Sequence, residues 1–155
     1  MKSNSKESPT VQWLQGVCIV PVNSTTKTNE EGEISYDWDR IDLPANSVNR
    51  QKTNEQLQAE ANKIYAKSQQ EETLKAGCPT SLGFKIDCMD NNVADFDKTL
   101  SLISIYPAMT NVLVRDYDNI NHTVTVDQYK TMCIELGAHV LTVRQVYWSE
   151  IDNVA

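Results

Sequence analysis

The chain has 155 residues, with 14 Lys and Arg against 21 Asp and Glu, and 40 % of it is apolar. That length holds one ordinary domain, or one domain with an appendage. A net charge of −7 argues against nucleic acid or an anionic membrane surface as a partner, because phosphate binding needs a basic face. No run of about 18 apolar residues is present, so no membrane insertion is expected, and the polar start does not read as a secretory signal.

Residues 1–10 are polar and without periodicity, which predicts a flexible or partner-ordered arm. Residues 11–22 are rich in β-branched side chains and punctuated by Gly16 and Pro21. They suit one strand or two short ones, with a bulge at Gly16 and an edge position at Pro21. The Ser/Thr/Asn/Glu-rich stretch 23–32 reads as a loop. Ile34, Tyr36 and Trp38 then alternate with polar residues, the period of a half-buried strand. Residues 11–45 therefore read as an N-terminal β element suited to docking.

After Pro44, Asn46 or Ser47 is placed to cap a long polar helix over residues 46–76, ended by a left-handed Gly77. Its apolar stripe is narrow: Leu57, Ala61, Ile64 and Tyr65, thinning to Val48 and Leu74 at the ends. A helix of close to 30 residues is about 45 Å long, and so thin a stripe does not hold that length on one small domain. Either the helix breaks near its middle or another chain covers it, which makes homo-oligomerisation through this helix one expectation.

Residues 77–155 read as a small α+β domain with a hairpin and two or three helices. Leu82, Phe84 and Ile86 alternate as in a strand. Asp90, Asn91 or Asn92 caps a helix with Val93, Phe96, Leu100 and Ile103 inward. Residues 111–116 and 120–124 form a hairpin around Tyr117, Asp118 and Asn119. Thr125 and Gln128 form a capping box, with Val124 and Tyr129 as its hydrophobic staple. The helix that follows presents Tyr129, Met132, Cys133 and Leu136 inward and is expected to end at Gly137. A last helix then carries Val140, Val143, Tyr147, Ile151 and Val154 on one face. The fold class is thus α+β.

The residues suited to chemistry are few. Cys18, Cys78, Cys88 and Cys133 contain no pair at zinc-ribbon or redox spacing. Cys18 and Cys133 read as small buried hydrophobes. In a reducing compartment a Cys78–Cys88 disulfide is not expected, and Asn23 and Asn121 need no glycosylation. His122 lies in the hairpin and His139 follows Gly137; both read as structural or surface residues. With five glycines, no phosphate-cradling loop is present, nor are the short signatures of hydrolases or metalloproteases. Asp116, Asp118 and Asp127 stand at calcium-loop spacing, but Ile120, Asn121 and the short Asp127 side chain depart from that pattern. Turn and helix-start roles explain them better. Asp37, Asp39 and Asp42 read as a solvated strand face. Trp13, beside the polar arm, is a candidate contact, as are Leu57, Ala61, Ile64 and Tyr65 on the long helix. No cofactor, metal or catalytic residue is expected.

The order of elements from residue 60 to 155 resembles a small C-terminal domain of unknown function found in phage tail and tail-fibre-associated proteins. The match is best over residues 112–136, the hairpin followed by a helix ending in Leu136-Gly137, with Tyr117 where the usual pattern carries an aromatic residue. The resemblance implies a non-enzymatic virion structural protein, located in the tail and assembled in the host cytoplasm. Its partners would be other phage structural proteins, namely tail, baseplate or fibre subunits. The implied role is connecting or anchoring a tail fibre. A cytosolic fibre-assembly chaperone is the alternative, and a capsid decoration protein ranks below both.

Overall fold

The structure is a computed structural model that describes residues 2–152. It is mixed α+β, with strands β1 (Lys2–Ser5), β2 (Gln12–Leu14), β3 (Val17–Thr28) and β4 (Ile34–Pro44) at the N-terminal end. Helix α1 (Asn54–Lys75), strands β5 (Cys78–Pro79) and β6 (Lys85–Ile86), and helix α2 (Asp90–Ile105) follow. The hairpin β7 (Asn111–Arg115) and β8 (Asn121–Thr125) leads into α3 (Val126–Asp152). The chain divides into two compact units: residues 69–148 form one, and the first 68 residues with the end of α3 form the other.

In the first unit the four strands make an antiparallel sheet in the order β1-β4-β3-β2. The expected arm at residues 1–10 is corrected in part by this sheet, because Lys2–Ser5 pairs with β4 over residues 36–39. Asn4 Nδ2 adds a 2.8 Å bond to Asp37 Oδ1. A polar strand on a sheet edge needs only backbone hydrogen bonds, so it leaves no apolar period to read. The expected loop at 23–32 is likewise shorter: β3 runs on to Thr28, and the turn comprises residues 29–33. Asn29 Oδ1 accepts the Glu31 and Glu33 N–H groups and closes it. Both faces of residues 23–28 are exposed, which removes the alternation on which strand recognition depends.

Two punctuation marks also move. Gly16 (φ +90) sits in the two-residue turn between β2 and β3, not at a bulge. The bulge lies between Val22 and Thr25, where two residues face Trp38 alone, and Asn23 takes the left-handed conformation there (φ +50). Pro21 has no β2 neighbour, since β2 reaches only Val17–Ile19. Gln58 Nε2 donates to its carbonyl at 2.6 Å, so β3 is an edge at that point, as expected. Cys18, Val20, Val22, Leu43, Leu57 and Ala61 form this unit's core.

The expected helix over 46–76 is corrected at its start. Asn46 Oδ1 accepts the Asn49 N–H, but it opens only a 3-10 turn at Asn49–Gln51, after which Lys52 is extended (ψ 147°). Thr53 is the true cap. Its Oγ1 accepts the Gln56 N–H at 3.3 Å, and Gln56 Oε1 accepts the Thr53 N–H at 2.9 Å. That reciprocal pair is a capping box. Helix α1 therefore has 22 residues, about 33 Å, and Gly77 follows it in the left-handed conformation as expected.

In the second unit the expected strand at 82–88 shrinks to a two-residue ladder, Cys78 opposite Ile86 and Pro79 opposite Lys85. Helix α2 begins after Met89 with no side-chain cap, so Asp90, Asn91 and Asn92 lie inside it. The β7–β8 hairpin forms as read, with Val112, Val114 and Val124 buried and Asn119 left-handed (φ +64) in the turn. Thr125 and Gln128 make the expected box, at 2.9 and 3.2 Å. Gly137 does not end the helix, because α3 is continuous to Asp152. Buried Tyr129, Met132, Leu136 and Val140 hold one face on both sides of it. The core also takes in Leu74, Ile86 and Ile103.

Candidate interaction surface

Asp116 and His122 have structural engagements close by, whereas among the described residues the buried Nε2 of His139 has no hydrogen-bond partner. Asp116 is buried, and its Oδ1 accepts the Ile120 N–H at 2.8 Å, which tightens the hairpin turn. Its Oδ2 lies 2.7 Å from His122 Nε2. The imidazole stacks on Phe84, with ring centroids 4.0 Å apart and planes within 9°. Burial favours the neutral Asp116 carboxyl. The bonds from His122 and the Ile120 N–H outweigh that and hold it below the ordinary carboxylate range. The arrangement resembles an acid–base pair in composition, but its geometry is that of a turn clamp.

Cys78 and Cys88 are free and fully buried, Cys18 is buried, and Cys133 is partly buried. Burial pushes the thiols of Cys78 and Cys133 up to about 11, so at neutral pH they carry a proton and are weak nucleophiles. Cys88 Sγ donates to the Leu74 carbonyl at 2.8 Å. Burial likewise pushes Tyr129 up to about 12, and its hydroxyl donates to the Phe96 carbonyl.

The acidic strand face of the first unit is similarly occupied. Asp37 binds Lys27 and Asn4, while Asp39 Oδ2 accepts the Tyr65 hydroxyl at 3.1 Å and Asn23 Nδ2 at 3.2 Å. Asn23, Lys27, Asp37 and Asp39 line, with Thr25 and Trp38, a recess of about 260 Å³ at the bulge. An open groove of about 520 Å³ runs past Pro9, Pro21, Glu55 and Gln58. Among the described residues no group of three or more His, Cys, Asp or Glu is placed to hold a metal ion, and no helix is long and apolar enough to cross a membrane.

The structure separates the five candidate contacts. Leu57 and Ala61 are fully buried in their own unit's core and offer nothing to a partner. Tyr65 is half-buried, with its hydroxyl on Asp39. Ile64 and Trp13 are exposed, and the Arg50 guanidinium lies 5.4 Å from the centroid of the Trp13 ring.

Larger apolar exposures lie in the second unit. Leu102, Ile105, Tyr106 and Met109 are all exposed, Ile105 at 68 %. Leu102 and Ile105 lie on the last turn of α2, while Tyr106 leaves the helix (ψ 77°) and Met109 lies in the turn beyond Pro107. In the sequence the inward set Val93, Phe96, Leu100 and Ile103 draws attention away from them. Leu113 stands on the outer face of the hairpin opposite Thr123. Large apolar side chains exposed this close together in the chain make a candidate contact surface.

No family model, no curated protein and no solved structure matches the chain.

Proposed function

We propose that this chain is a non-enzymatic structural protein of a phage virion, a tail component that connects or anchors a fibre to the tail or baseplate. The observation that carries the reading is the run of exposed apolar side chains Leu102, Ile105, Tyr106 and Met109 at the end of α2 and in the turn after it, in a molecule whose Asp39, Asp116 and His122 side chains are held by hairpin and sheet contacts. The resemblance of residues 60–155 to the small domain of tail-associated proteins supplies the assembly. Under this reading the α2 end meets a neighbouring tail, baseplate or fibre subunit.

Quantitative mass spectrometry of gradient-purified particles tests it. The chain is expected in a fixed ratio to the tail subunits, and Ile105→Lys is expected to lower its incorporation at least about tenfold, as loss of a central apolar anchor does. A chain abundant in the lysate and missing from particles overturns the proposal in favour of a fibre-assembly chaperone.

A further inference from the structure

Between β4 and α1 the first unit brings together a carboxamide, an amine and a carboxylate. Asn49 is only 4 % exposed, although it opens a short 3-10 turn. Its amide group is held at both ends. Nδ2 donates to the Pro44 carbonyl at 2.9 Å, and Oδ1 accepts a hydrogen bond from Lys52 Nζ at 2.8 Å. The same Nζ also contacts Glu60 Oε2, on the second turn of α1.

This arrangement has the parts of an acyl transfer. The Asn49 carbonyl carbon lies one C=O bond of about 1.23 Å from Oδ1, which places Nζ within about 4 Å of it. Reacting atoms combine from about 3–3.5 Å, so a small shift of the Lys52 side chain suffices. The bond from Nζ polarises the carbonyl, and a carboxylate beside an amine is placed to take its proton. Burial of Asn49 shields the carbonyl carbon from water, the competing nucleophile.

We infer that Lys52 and Asn49 are joined by an isopeptide bond that the chain forms unaided, with Glu60 carrying the proton. Glu60 takes one proton from the Lys52 ammonium, and the freed lone pair on Nζ attacks Asn49 Cγ. Nζ gives up a second proton, which passes to Nδ2 as the Cγ–Nδ2 bond breaks, and ammonia leaves. Ammonia then takes the proton held by Glu60. The products are one isopeptide bond, one ammonium ion and the original carboxylate, with nothing oxidised or reduced. The bond closes a ring across the turn that leads from β4 into α1, and it keeps the chain joined if the backbone inside that ring is cut. This inference stands apart from the virion reading, because it is tested on the chain alone.

Intact-mass measurement and tryptic mapping of the purified full chain are the test. The chain is expected to be lighter by one ammonia, about 17 Da. Trypsin cuts after Arg50, so the Asn49 and Lys52 peptides are expected to stay joined, with Lys52 itself uncut. A succinimide at Asn49 loses the same mass but leaves the peptides separate, and that result overturns the proposal. Lys52→Arg is expected to keep its full mass, and Glu60→Gln to join at least about a hundredfold more slowly, with circular dichroism confirming the fold of each. A chain of full mass that trypsin cuts after both Arg50 and Lys52 overturns the proposal. Joining at an unchanged rate in Glu60→Gln overturns the role given to Glu60.

Discussion

At Gly77 the backbone is left-handed (φ +78), and an added Cβ would lie 2.8 Å from Tyr117 Cδ2 and 3.1 Å from the Ile86 carbonyl oxygen. The conformation alone disfavours other residues by about 1–2 kcal/mol, and the two contacts add to it. Gly77→Ala is therefore expected to destabilise the protein by about 2 kcal/mol or more in urea titration. Gly137 is the opposite case, helical and open. Gly137→Ala is expected to stabilise the chain by about 1 kcal/mol. Both glycines follow a helical apolar pattern, so sequence treats them alike; only the packing on either side of Gly137 distinguishes them.

Asp116 supplies a pH dependence of definite sign. Its carboxyl is held below the ordinary range in the folded chain, so folding favours the ionised form. The stability it contributes is fully present above the unfolded value of about 4 and is lost as pH falls through the depressed folded value. Asp116→Asn is expected to lower stability at pH 7 and to flatten its decline in acid, measured by urea melts at neutral and acid pH.

Among the elements, the Thr125–Gln128 box was legible because an apolar strand ends where it begins. The Thr53–Gln56 box has the same Thr-x-x-Gln pattern but is less conspicuous, since Asn46 and Ser47 offer an earlier cap and Lys52, not an apolar residue, precedes Thr53, so Leu57 has no staple partner. Thr53→Ala and Thr125→Ala are each expected to cost about 1 kcal/mol, read by chemical denaturation. Leu57→Ala is expected to cost about 2–5 kcal/mol, because its side chain is fully buried in the first unit's core. Strands that bury one face, such as β7 with Val112 and Val114, show themselves in sequence. The exposed end of β3 and the polar β1 do not, because pairing between backbones has no side-chain signature.

For the molecule as a whole, the α+β class and the hairpin-to-helix step were readable, whereas the exposed apolar side chains of the second unit were not. The residues singled out on α1 were the most regular apolar ones there, and regularity marks burial as readily as it marks contact. Leu57 and Ala61 went to the core, while exposed apolar side chains lie at the end of α2 and just after it, behind a more conspicuous inward pattern. Alanine at Asp37, Asp39, Asp116 or Asp118 is expected to leave any glycan hydrolysis by purified particles unchanged, since each carboxylate is assigned a structural or solvated role.

The claim that other subunits grip this chain is tested most directly by cross-linking mass spectrometry on intact purified particles. Exposed lysines such as Lys98, beside the apolar end of α2, are expected to join it to tail, baseplate or fibre subunits at reproducible sites. Cross-links confined to the chain itself, or none to any particle protein, would contradict the account.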